Sequence, residues 1–203
     1  MKIAVATSNP HKLKEIQHIL KDLNVEIVPA EALGIDFSHV EESGETLEEN
    51  ALIKARYVWK QTGLPSIADD TGLFVKALDG LPGVRSARFA GDNATDEENV
   101  KKLLNLMKGR KDREAFFKTV IAFIDKEGRE YLFEGKVHGI IAEEPAGEGG
   151  FGYDPVFFYP PMKKTFAQMI PEEKNSISHR YRALESFREF LWKRLSSSTG
   201  MGH

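Results

Sequence analysis

Short apolar runs alternate with helix-spaced apolar positions from the first residues onward. Residues 2–8, KIAVATS, form an apolar run that predicts a buried strand. Pro10 suits a first helical turn, and Leu13, Ile16, Leu20 and Leu23 recur at helical spacing, which predicts a helix over 10–22. VEIVP at 25–29 returns as a strand. Such a β-α-β opening points to an α/β fold with a parallel strand pair.

The pattern continues in the same style. Residues 45–63 read as a helix, with Thr46 and Glu49 at capping-box spacing and Gly63 as its stop. PSIAD and GLFVKAL read as two strands flanking Asp69-Asp70, and LPGV at 81–84 as a turn. Residues 95–109 repeat the helix signature with Thr95, Glu98 and Gly109. Residues 115–124 and 130–141 read as strands of a hairpin across Lys126-Glu127-Gly128. The stretch 143–161 is too rich in Gly and Pro for regular structure, and a loop that long in a compact chain is usually functional. A last helix is expected over 176–195, followed by a frayed polar tail at 196–203. No internal repeat or linker interrupts 1–195, which reads as a single domain.

Composition narrows the function classes. The chain has 203 residues, 41% apolar and 29% charged, in the range of a globular protein. The net charge of −3 gives no general attraction to nucleic acid, so local cations must hold any anionic ligand. There is no cysteine, which excludes disulfides, zinc thiolate sites and cysteine nucleophiles. No stretch approaches the roughly 18–20 apolar residues of a membrane span, and the N-terminus lacks a signal-peptide apolar core. A cytoplasmic location is therefore the expectation.

Four segments carry candidate chemistry. In TSNPHK (7–12), a strand end meets a helix N-terminus, where backbone N–H groups and the dipole favour phosphate. Ser8 and Asn9 add donors and Lys12 a cation; an ordinary β-to-α turn has the same sequence. In IADDTGLF (67–74), Asp69 and Asp70 put like charges side by side. An Asp-rich turn is one reading. The other adds a carboxylate from the loop holding Glu41 and Glu42, making an all-oxygen site for Mg²⁺ with a polyphosphate. Lys54 shares a helix face with Asn50 and can look at the same polyanion. In GGFGYDP (149–155), glycines allow close backbone approach, Phe151 and Tyr153 offer flat faces to a base, and Asp154 can accept from a ring N–H. A glycine-rich surface loop with core aromatics is the alternative. In EEKNSISHR (172–180), Lys174, His179 and Arg180 stand near a helix start, where cations do not help the helix.

Together these segments resemble the inosine/xanthosine triphosphate pyrophosphatase family. TSNPHKLKEI, EESGETLEENALIKA, IADDTGL, LPGVRSARFAG, GGFGYDP, TFAQM and EEKNSISHRYRAL occur in the family's order across nearly the whole chain. Thr71 stands where serine is also common. The resemblance implies an elongated α/β fold, a mixed sheet flanked by helices in two lobes with a central cleft, and a homodimer. It implies hydrolysis of ITP, dITP and XTP to the monophosphate and pyrophosphate. Thr7, Ser8, Asn9, Pro10, His11 and Lys12 would bind the triphosphate, joined by Lys54. Glu41 and Asp70 would hold Mg²⁺ with Asp69 beside them, and Asp70 would be the general base. Thr71, Phe151, Gly152, Tyr153, Asp154, Lys174, His179 and Arg180 would bind substrate, the later ones mostly its base. Neither nucleic acid nor a membrane is an expected partner. Two rivals are a septum-type pyrophosphatase acting on modified pyrimidines, which lacks the FGYDP and SHR segments, and a nucleotide-binding regulator with a dead metal site.

Overall fold

The computed structural model describes residues 1–199. An eight-stranded mixed sheet has the order β2-β1-β3-β5-β6-β7-β8, with β4 paired to β3. Its strands are β1 (Lys2–Val5), β2 (Glu26–Pro29), β3 (Ser66–Val75), β4 (Pro82–Gly83), β5 (Glu114–Ile124), β6 (Glu130–Ile141), β7 (Phe157–Tyr159) and β8 (Lys164–Thr165). The helices are α1 (Pro10–Ile19), α2 (Leu47–Thr62), α3 (Asp96–Met107), α4 (Pro171–Ile177) and α5 (His179–Thr199). β1 pairs in parallel with both β2 and β3, as the β-α-β opening requires.

Two compact units share the chain. The first comprises Met1–Asp70, Thr119–Gly135 and the chain from Tyr181 onward; the second comprises Thr71–Lys118 and Lys136–Arg180. Each has its own core. In the first, Ile3, Val5 and Ile67 pack with Ile16 and Leu20, with Phe123, and with Phe187 and Leu191. In the second, Leu73 and Val75 pack with Leu103 and Met107, with Phe117, and with Phe157 and Phe166. Among the described residues no helix is long and apolar enough to cross a membrane.

Capping chemistry sets the helix ends where the sequence puts it. Thr46 accepts from the Glu49 N–H at 3.1 Å and Gly63 closes α2 at φ +67°. Thr95 does the same for α3 with Glu98. The hairpin turns where expected, with the Asp125 N–H donating to Arg129 and the Gly128 N–H to Asp125.

Several elements differ from the sequence reading: β7 lies inside the 143–161 stretch expected to be irregular, and Pro82–Gly83 of the expected turn pair with β3 as β4. β3 is one ten-residue strand running through Asp69-Asp70, not two strands flanking a turn. The strand passes through both aspartates, and Lys12 lies against Asp69. The expected helix at 176–195 is two helices, broken at Ser178 (φ −66°, ψ 153°), with α4 opening on Pro171. Ile177, Tyr181, Leu184 and Leu191 keep one apolar rhythm across the break, so periodicity does not reveal it. Finally, α5 continues through 196–199, which the composition assigns to a tail; 200–203 lie outside the described residues.

Candidate active site

The first group of site residues lies within the first unit. β1 delivers the chain to a three-bond cap at the start of α1. Thr7 Oγ1 accepts the Asn9 N–H at 3.1 Å, and Asn9 Oδ1 accepts the N–H groups of His11 (2.9 Å) and Lys12 (3.4 Å). Pro10 contributes no N–H. The helix-start donors are thus ordered by Asn9, with Ser8 and His11 exposed beside it. Lys12 does not extend into solvent: its Nζ lies 3.1 Å from Asp69 Oδ2.

Asp69 and Asp70 are only 5% and 8% exposed. Lys54, on α2, donates to the Asp69 carbonyl at 2.6 Å and pairs with Glu42 at 3.0 Å. Burial pulls the Lys54 ammonium down, but Asp69, Glu42 and Asp70 outweigh it and leave its pKa raised. Burial pushes Asp70 up to about 6, against the attraction of Lys54 and with help from Glu42 and Asp69. A carboxylate at that value is a base at neutral pH, with a stronger proton affinity than a solvated aspartate.

The acidic loop is held by α2. Asn50 Oδ1 accepts the Gly44 N–H at 2.8 Å, and Glu49 accepts the Glu45 N–H at 2.7 Å. A Cβ on Gly44 would stand 2.6 Å from Glu49 Cβ, so the loop can lie this close only with glycine there. The loop carboxylate that reaches Lys54 is Glu42; Glu41, one residue earlier, is exposed. The family resemblance assigns the metal to Glu41, whereas the loop carboxylate against Lys54 is its neighbour Glu42, and nothing in the spacing separates adjacent glutamates in a loop.

Magnesium fits this donor set. Asp69 and Asp70 supply hard oxygens at a buried position, and burial more than neighbouring charge raises Asp70. Among the described residues no three acidic or histidine side chains are gathered into a metal cage. Mg²⁺ does not require one, because it keeps waters and takes one or two carboxylates together with substrate phosphates.

The second group lies within the second unit. Asp154 is 4% exposed; its Oδ2 accepts the Phe151 N–H at 3.1 Å and pairs with Lys174 Nζ at 2.6 Å. Burial raises the Asp154 pKa against the pull of Lys174. Gly150, at φ +69°, is obligatory, since a Cβ there would run into the Asp154 carboxylate. The Phe151 ring has Lys174 Nζ 4.8 Å and the Arg180 guanidinium 5.3 Å from its centroid. His179 is buried and stacked on Phe117 at 4.6 Å, 18° from parallel. Gly152 is half-buried within this loop, and Tyr153 is almost fully buried. Thr71 is half-buried in β3. The result is an aromatic face, a buried carboxylate and cationic donors within one short span of loop and helix.

The Ham1 family model matches residues 3–190. A dITP/XTP pyrophosphatase of Thermoanaerobacter pseudethanolicus is 52% identical over 197 residues, covering 96% of this chain and 98% of that protein. One of Porphyromonas gingivalis, of the same name, is 50% identical over 94% of this chain and 97% of its own. The solved HAM1 protein of Coxiella burnetii superposes with a TM-score of 0.90 at 43% identity, over 95% of this chain and 99% of that one. The Staphylococcus aureus Ham1 protein gives 0.89 at 41% identity, over 96% and 100%.

Proposed function

This chain belongs to the Ham1 family, and from that premise we propose that it hydrolyses dITP, XTP and ITP to the monophosphate and pyrophosphate. The observation that carries the reading is the buried Asp69-Asp70 pair with Lys12 and Lys54 against it. Two cations beside a raised carboxylate suit a polyanion and a water that must lose a proton.

Water adds to phosphorus at the α–β anhydride, the bond to the β-phosphoryl oxygen breaks, and Asp70 takes the proton. Lys12, now paired with Asp69, and Lys54 offset charge on the departing pyrophosphate. The helix α1 start adds its dipole. Held by Glu41 and Asp70 with Asp69 beside them, Mg²⁺ would neutralise phosphate oxygens and lower the pKa of a coordinated water.

For the base, the second unit supplies the Phe151 face, with Arg180 and His179 as donors to a 6-oxo group. Adenine would turn a 6-amino donor toward those donors, and an unpaired buried donor costs about 1–3 kcal/mol. Lys174 is held for this task by Asp154. A cytoplasmic location suits soluble nucleotide substrates, and a homodimer is carried over from the family resemblance.

Pyrophosphate release from ITP, dITP, XTP, GTP, ATP and dTTP, with and without Mg²⁺, tests the reading. ITP, dITP and XTP should lead, with ATP slower by about 10-fold or more. Preferred turnover of dTTP, or none with any nucleotide, would overturn it.

A further inference from the structure

The segment LPGVRSARFAG has no part in the chemistry above, yet it lies against the base loop. Ser86 is buried; its Oγ donates to the Gly83 carbonyl at 2.6 Å and accepts the Leu73 N–H at 2.9 Å. Its own carbonyl accepts the Tyr153 hydroxyl at 2.6 Å. Tyr153 is 5% exposed, so its ring is not an open platform for a base. Burial, with Asp96 adding to it, raises the Tyr153 pKa, so the hydroxyl stays a donor.

The neighbouring residue is tied as well. Asp96, in the first turn of α3, accepts the Gly152 N–H through Oδ2 at 2.9 Å. Three successive residues are therefore each fixed by a different partner: Phe151 by Asp154, Gly152 by Asp96 and Tyr153 by Ser86. The Ser86 segment is itself pinned to α3, because Asn99 accepts from the Ala90 N–H and donates to the Ala87 carbonyl.

Resting on the nucleotide hydrolysis proposed above, we propose that the Tyr153 hydroxyl and the Asp96 carboxylate are positioning groups for Phe151. They hold the ring where a base stacks, and so set which bases are turned over. Neither touches the substrate. Gly152, at φ +60°, lets the chain turn between the half-buried Phe151 and the buried Tyr153.

The test is a double-mutant cycle. Tyr153→Phe keeps the ring and removes only the anchor. It should lower kcat/KM for ITP by about 10-fold, mostly through KM, and narrow the ratio of ITP to dTTP turnover. In a Phe151→Ala background the same change should alter kcat/KM less than about 2-fold, since its route of action is gone. Asp96→Ala should repeat the loss, and Asp96→Asn, which keeps an accepting oxygen, should restore most of it. Should Tyr153→Phe fold poorly, the Asp96 pair carries the same cycle. Additive effects with Phe151→Ala, or an unchanged base ratio, would overturn the proposal. Phe151 ring resonances, followed by NMR without substrate, should shift and broaden in Tyr153→Phe and Asp96→Ala. Unchanged resonances would also overturn it. A wild type without nucleotide turnover sinks the hydrolase reading instead, and the resonances still decide the anchors.

Discussion

Asp70 is the residue whose environment and proposed role can be weighed against each other. Its pKa rises from 3.8 to about 6 because burial disfavours the charged carboxylate. A group raised on folding adds its full stability below the unfolded value, and that contribution is lost as pH climbs through about 6. The ionised form therefore costs the fold up to about 3 kcal/mol above pH 7. Asp70→Asn cannot ionise, so in metal-free buffer it should be more stable than wild type at pH 8, with the gap closing near pH 4. Urea denaturation at the two pH values measures this, and the same variant should lose most of its ITP turnover. Equal stability at pH 8 would mean that Lys54 and Lys12 already compensate the charge. The base and phosphate ends separate at the same scale. Lys12→Ala should weaken ITP, XTP and residual GTP alike, whereas Arg180→Ala should hurt the preferred bases most. A lost charge-assisted hydrogen bond is worth about 1.5–3 kcal/mol, or about 10- to 150-fold in kcat/KM. If Arg180→Ala lowered every nucleotide equally, Arg180 would serve the phosphates.

Among the elements, α2 shows how local chemistry serves the site. Thr46 caps its first turn, Glu49 in that turn and the adjacent Asn50 hold the acidic loop, and Lys54 one turn after Asn50 meets Glu42 and Asp69. Thr46→Ala should cost about 1 kcal/mol, the usual value of an N-cap, measured by thermal or urea unfolding. Its effect on kcat/KM should stay within about 2-fold, because the Asn50–Gly44 bond still holds the loop. These caps are readable from sequence because they depend on residues three or four apart. The break at Ser178 is not, because both helices share one apolar rhythm.

For the whole molecule, each unit has a core built from distant stretches, the first from three. Metal dependence belongs at this scale, since the Asp69-Asp70 strand, α1 and α2 must all be in place. Activity should vanish in excess EDTA and return with Mg²⁺; full turnover in chelator would remove the metal from the mechanism. Sedimentation equilibrium should give twice the chain mass, and a monomer at assay concentration would remove the dimer.

The sequence by itself determined the β-α-β opening, the caps of α2 and α3 and the β5–β6 hairpin, because these rest on local periodicity and short-range capping. Tertiary structure decided that β3 runs straight through two aspartates, and only folding brings Lys12 and Lys54 against Asp69. It selected Glu42 over Glu41 as the partner of Lys54, since adjacent loop residues differ in direction and not in chemistry. It buried Tyr153 and gave its hydroxyl to Ser86, 67 residues away, a pairing that no local pattern encodes.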